Sequence, residues 1–207
     1  MAFPTTGNTT ELHAVNQILA SVGQAPVTTL DQTNPDVAIC YMTLVDTSRQ
    51  VQAEGWTFNK EFNYPISVND QQEVIVDDTM LQLDLAKCRQ ADYGSYDAVR
   101  RNGKLYERNN HTYKWKENPV YCDVVWLWDW QDLPTPIREY IVAKAATIVS
   151  QRIVSDAQLY AMLKEQEQYT RAQALEYEAN QGDFTMFGHP QGSNYYRSYQ
   201  PFHALYR

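Results

Sequence analysis

Asn34–Asn59 reads NPDVAICYMTLVDTSRQVQAEGWTFN, and the fold turns on where its helical periodicity ends. Asn34 is a good helix N-cap, Pro35 fits the first turn and Asp36 suits the positive helix end. Val37, Cys40, Leu44, Thr47 and Val51 recur on one helical face, with Tyr41 and Val45 beside it. Gly55 is placed to terminate the pattern. From Trp56 the spacing changes to alternation, with Trp56, Phe58 and Lys60 set against Thr57, Asn59 and Glu61. A helix gives way to an extended segment at this point.

Before this stretch, Thr9 or Thr10 can cap a first helix whose Leu12, Val15, Ile18, Leu19 and Val22 share a face, with Gly23 as its stop and Pro26 shortly after. After it, Glu73–Val76 and Leu81–Leu85 read as short strands. Asn102-Gly103 between Tyr96–Arg101 and Lys104–Arg108 is a strong two-residue hairpin signal. A weaker turn at Asn109-Asn110 leads to a third strand, Thr112–Lys116, and Val120–Trp130 is a long extended run after Pro119. Helical spacing returns after Pro134. Thr135 can cap, Pro136 can sit in the first turn, and Ile137, Tyr140, Ile141, Ala145, Ile148, Val149 and Ile153 form the stripe. Ser155 with Gln158 forms a capping box for a last helix reaching about Asn180, ended by Gly182.

Runs of one element type followed by runs of another predict an α+β fold. The expected architecture is an antiparallel bundle of about four helices with an inserted β-rich region and an extended aromatic C-terminal tail. Residues 1–55 supply the first two helices, 56–131 the inserted β region, 132–182 the last two helices, and 183–207 the tail.

The chain has 207 residues, 17 Lys+Arg against 25 Asp+Glu, and a net charge of −8. That acidity argues against a general nucleic-acid binder, whose affinity would come from neutralising phosphates. No apolar run approaches the roughly 20 residues of a membrane helix, and no secretory signal is expected at the N-terminus. Cys40, Cys88 and Cys122 are odd in number and widely spaced, which fits a reducing compartment rather than a disulfide framework or a zinc site. The histidines, His13, His111, His189 and His203, are equally scattered. Fifteen tyrosines and 5 tryptophans hint at contact surfaces between proteins.

Two local constellations carry possible chemistry. Arg100, Arg101, Lys104, Arg108, Lys114 and Lys116 gather around the hairpin, interleaved with Tyr106, Tyr113 and Trp115. They suit an acidic partner, or equally a solvated hairpin whose cations guard an edge strand. Trp126, Trp128 and Trp130 alternate, which on a strand would put three rings on one face. That face is either packed on the helices or a stacking platform for glycans, the basis of an alternative reading as a carbohydrate-binding or glycan-hydrolysing module. Asp123 and Asp129 on such a strand would stand ~20 Å apart, too far for a glycosidase pair. No GxSxG, GxxxxGK[ST], GxGxxG or HExxH motif is present. No catalytic residue, metal site or cofactor is expected.

Several blocks resemble a known family. AVNQILASVGQAPV at Ala14–Val27 and QAEGWTFN at Gln52–Asn59 are the specific ones. The acidic turn at Trp128–Pro134, IREYIVAKAAT at Ile137–Thr147 and ALEYEA at Ala174–Ala179 follow in order. Together they are similar to tail tubular protein A, the adaptor-ring proteins of short-tailed bacteriophages of the autographivirus type. The resemblance covers about half the chain. The middle, residues 62–118, matches only in style, and 183–207 does not match. The resemblance implies a structural, non-enzymatic subunit of a twelve-membered ring in the virion tail, assembled in the host bacterial cytoplasm. Such a ring joins the portal protein to the nozzle protein, tail tubular protein B, helps seat the tail fibres, and leaves a channel through which DNA passes without specific binding. No membrane is involved. Phe184, Phe187, Tyr195, Tyr196, Tyr199, Phe202 and Tyr206 of the aromatic tail are then candidates for contact with the portal or a neighbouring subunit.

Overall fold

The structure, a computed structural model, describes residues 10–31, 33–86 and 96–182. The candidate tail residues Phe184, Phe187, Tyr195, Tyr196, Tyr199, Phe202 and Tyr206 lie outside them, as does Cys88. The described residues form an α+β fold in the expected order. Helices α1 (Glu11–Ser21) and α2 (Pro35–Gln52) precede strands β1 (Lys60–Ile66), β2 (Met80–Leu85), β3 (Ala98–Arg101), β4 (Lys104–Glu107) and β5 (Val120–Trp126). A 3-10 turn at Trp130–Asp132 leads to α3 (Thr135–Ile153) and α4 (Ala157–Gln181).

The caps of the first two helices match their sequence signals. Thr10 Oγ1 accepts from the His13 N–H at 3.3 Å, and Asn34 Oδ1 from the Asp36 N–H at 3.1 Å. Gly23 turns the chain after α1 with φ +76°, a left-handed conformation glycine adopts without Cβ strain. The later caps correct the expectation. Pro134, not Thr135, precedes α3, and no side chain caps that end. Asp156 caps α4 by accepting from the Gln158 N–H at 2.8 Å, while Ser155 takes φ +57° and donates its hydroxyl to the Gln151 carbonyl.

Helix α3 is the centre of the helical layer and packs on α1, α2 and α4. Ile137, Tyr140, Ile141, Ala145 and Val149 are buried, but so are Arg138, Val142, Ala146, Thr147 and Ser150, so burial runs nearly all round. This core also takes Ala14, Val15, Ile18 and Leu19 of α1, Val37, Cys40, Leu44 and Val51 of α2, and Ala174 of α4.

A second core lies in the β region. Sheet order is β1-β5-β2, both pairings antiparallel, with Ile66 opposite Val120 and Leu83 opposite Val124. β3 and β4 form the expected hairpin around Asn102-Gly103. The strands expected at Glu73–Val76 and Thr112–Lys116 reduce to isolated bridges, Glu73 with Lys114, Ile75 with Lys104 and Glu107 with Thr112. The expected strand at Trp56–Lys60 is also corrected. Residues 56–59 form a turn, and pairing begins only at Lys60.

Candidate assembly surfaces and the junction behind them

The tightest polar construction joins the two cores. Trp56 is buried among the helices, its indole N–H donating to the Val51 carbonyl at 2.7 Å and its ring edge-on to Tyr140 at 6.5 Å. The buried Asn59 accepts from the Trp56 N–H at 2.9 Å and donates to the carbonyls of Gln52 at 2.9 Å and Trp126 at 2.8 Å. The buried Gln52 side chain brackets Trp128. It donates to the Trp128 carbonyl at 3.1 Å and accepts from the Trp128 N–H at 2.8 Å. Glu178, near the end of α4, accepts from the Thr57 N–H at 2.8 Å and hydroxyl at 2.6 Å. The end of α2, the start of β1, the end of β5 and the end of α4 therefore meet at one knot. Its residues are 67 to 121 positions apart in several pairs, which is why sequence spacing does not disclose it.

The hairpin cations divide. Arg100 pairs with Asp78 at 2.6 Å and donates to the Met80 carbonyl, Lys104 pairs with Glu73 at 2.6 Å, and Arg108 pairs with Asp97 at 3.0 Å. Arg101 lies over the Tyr106 ring at 4.9 Å. Lys114 and Lys116 are exposed, and neither pairs with a carboxylate among the described residues. Trp115 does not interleave with these cations at the surface. It is a core residue whose indole donates to the Leu105 carbonyl at 3.1 Å. The buried Glu107 accepts from the Asn110 N–H and fixes the turn after β4, a role the sequence reading did not assign it.

The three tryptophans do not share a strand face, contrary to the period-two expectation. β5 ends at Trp126, whose ring stands edge-on to Tyr64 at 5.2 Å and whose indole donates to Glu61. Trp128 lies beyond the strand and is 41% exposed. Trp130 turns into the helical core. The chain leaves extended geometry because Gln52 holds the Trp128 backbone and a 3-10 turn follows. Asp123, on β5, accepts from the Asn63 N–H at 3.0 Å and so holds an irregularity in β1.

Burial raises the Cys40 thiol to about 11, with Asp36 adding to it. Burial raises the Cys122 thiol to about 12, helped by Asp123 and Asp84. Such thiols stay protonated and unreactive. An open hollow lined by Glu11, Leu30, Asp129, Trp130 and Asp132 lies beside α1, and among the described residues no group of His, Cys, Asp and Glu could hold a metal ion. No described helix is long and apolar enough to cross a membrane.

The well-organised polar groups of the described residues thus serve the chain's own folding. Exposed among the described residues, beside many carboxylates, are cations on the hairpin and apolar side chains on α2 and α4, positions suited to contact with other proteins. Compared with known families, residues 12–184 match the tail tubular protein family, well over half of the 207 residues, and the chain belongs to it. It is a structural component of a phage tail. No curated protein matches the chain.

Proposed function

We propose that the chain is the adaptor subunit of a short phage tail, forming a ring of twelve copies between the head portal and the nozzle. The family match over residues 12–184 carries this reading. The ring converts the portal surface into a docking surface for nozzle and fibres and works by geometry, without catalysis. A channel for DNA should not grip phosphates. A chain of net charge −8 repels them over about a Debye length, ~8 Å at physiological salt. Arg101, Lys114 and Lys116 are available to an acidic neighbour such as a fibre or nozzle subunit, whereas Arg100, Lys104 and Arg108 are already paired within the chain. The aromatic residues of 183–207 act as a clasp on the portal or an adjacent copy.

Negative-stain electron microscopy of the full chain, alone and mixed with purified portal rings, tests this. Added density with the portal's rotational symmetry is the expected result. Portal rings that carry no added density would overturn the portal-adaptor role.

A further inference from the structure

Among the described residues, two helices show apolar side chains that nothing covers, and these helices do not pack along each other. α4 packs along α3 and not along α2. The outward face of α2 shows Ile39, Met42 and Val45, and Met42 is 66% exposed. α4 is 25 residues long, yet it buries only Leu163, Glu167, Thr170 and Ala174, a single seam against its neighbour. Met162 and Tyr169, seven residues apart and to one side of that seam, are 71% and 65% exposed. Residues seven apart on a helix return to within about 20° of the same bearing.

Charge extends the match. Met42 is followed seven residues later by the exposed Arg49, and Tyr169 is followed seven residues later by the exposed Glu176. Neither Arg49 nor Glu176 forms an ion pair among the described residues. Laid parallel, the two stripes bring Met42 onto Tyr169 and Arg49 onto Glu176 in a single register. Laid antiparallel, they offer no such pairing.

We infer that α2 of one copy docks on α4 of the next, Met42 against Tyr169 and Arg49 against Glu176. The two patches differ and sit on one chain, so the contact is head-to-tail, the type that closes into a ring when the rotation permits. Methionine and tyrosine suit the centre of such a patch, and a charged pair at its end sets the register. This inference rests on the ring reading above and names the surfaces that would close it.

The test is sedimentation velocity of the full chain over a concentration series, alone and with portal rings. Met42→Asp and Tyr169→Asp should each abolish assembly while far-UV circular dichroism stays native, since both side chains are exposed. Arg49→Glu and Glu176→Arg should each weaken assembly by about fivefold or more. Mixing those two single variants should restore it, because copies in alternating order again set one cation against one carboxylate at every contact. Wild-type assembly that survives both aspartate substitutions, or single charge variants that gain nothing on mixing, would overturn the α2–α4 contact and leave the ring reading standing. A wild-type chain monomeric at every concentration, with and without portal rings, would overturn both.

Discussion

Replacing Asn59 by leucine should uncouple the helical and β layers. The Asn59 side chain is 1% exposed and makes three hydrogen bonds, to Trp56 N, Gln52 O and Trp126 O, at 2.8–2.9 Å. Leucine has a similar volume, so the change removes polarity without opening a large cavity. Three bonds at about 1 kcal/mol each give about 3 kcal/mol. The Gln52 carbonyl keeps the Gly55 N–H, but the Trp56 N–H and the Trp126 carbonyl lose that partner in a buried site, which raises the cost to about 3–5 kcal/mol. With a urea slope of about 2 kcal/mol/M, the unfolding midpoint should fall by roughly 2 M. Far-UV circular dichroism and tryptophan fluorescence should report it together if the chain unfolds as one unit. Gln50→Leu on the exposed face of α2 serves as the control and should move stability by about 0.5 kcal/mol or less. A midpoint drop for Asn59→Leu no larger than the control's would refute the role of this side chain in joining the layers.

Thr57→Val keeps the N–H bond to Glu178 but loses the 2.6 Å hydroxyl bond, and should cost about 1–2 kcal/mol in urea unfolding. Glu178→Ala should cost more, and the double variant no more than Glu178→Ala, so additive losses would dissolve the pairing. Gly103→Ala meets no atom within 4 Å, yet φ is +68°, so it should lower the melting temperature by roughly 2–4 °C through backbone strain alone; an unchanged melting temperature would refute that strain. The thiols of Cys40 and Cys122 titrate at about 11 and about 12 in the folded chain against 9.0 when free. Their folded values are raised, so stability is full below pH 9 and falls as pH rises toward 11 and 12, by about 1.4 kcal/mol per unit and thiol. Cys122→Ala should flatten part of that alkaline slope in urea midpoints. A slope identical to the unmodified chain's would show that the buried thiol is not its source.

The helices and the hairpin were legible because their signals are local. Asn34 and Asp36 lie two residues apart, and Asn102-Gly103 fills its own turn with φ values of +53° and +68°. Apart from the caps of α3 and α4, which moved by one residue, the misreadings share one cause, a distant partner overriding a local pattern. Trp56–Asn59 alternates like a strand, but Asn59 folds back on Trp56 and the Trp56 ring finds Tyr140, so a turn results. Trp130 alternates with Trp128, but Gln52 of α2 captures the Trp128 backbone and the chain bends into the helical core. The all-round burial of α3 was equally hidden, since its Ser150 and Thr147 satisfy their hydroxyls on nearby carbonyls and sit in the core like apolar residues. Of the candidate contacts, the basic residue types were visible, while their division into paired and available cations depends on Asp78 and Glu73, 22 and 31 positions away from Arg100 and Lys104.

The knot also gives the segment QAEGWTFN a structural role in this chain. Gln52 brackets Trp128, Glu54 lies 4.0 Å from Lys144 and 3.9 Å from Arg171, and Gly55 takes φ +79°. Trp56 fills the helical core, Thr57 meets Glu178, and Asn59 ties α2 to β5. Phe58 packs against the helical core and the Ala53 carbonyl accepts from Gln82 at 2.6 Å, so all eight residues are engaged inside the chain, and they fix how the sheet is carried on the helices. An assembling protein needs that rigidity, because contacts on the helices and on the hairpin can be made together only if the angle between the layers is held. On the proposed assembly, partner choice resides in side chains that folding leaves over, such as Met42, Tyr169, Lys114 and Lys116, which are exposed. Substitutions in the knot should cost stability first and assembly only as a consequence, whereas substitutions at those exposed positions should change assembly with stability within about 0.5 kcal/mol of the unmodified chain. Measuring both quantities on the same variants separates the two roles. A knot variant that assembles poorly at full stability, or an exposed-site variant that unfolds, would show that the division is drawn in the wrong place.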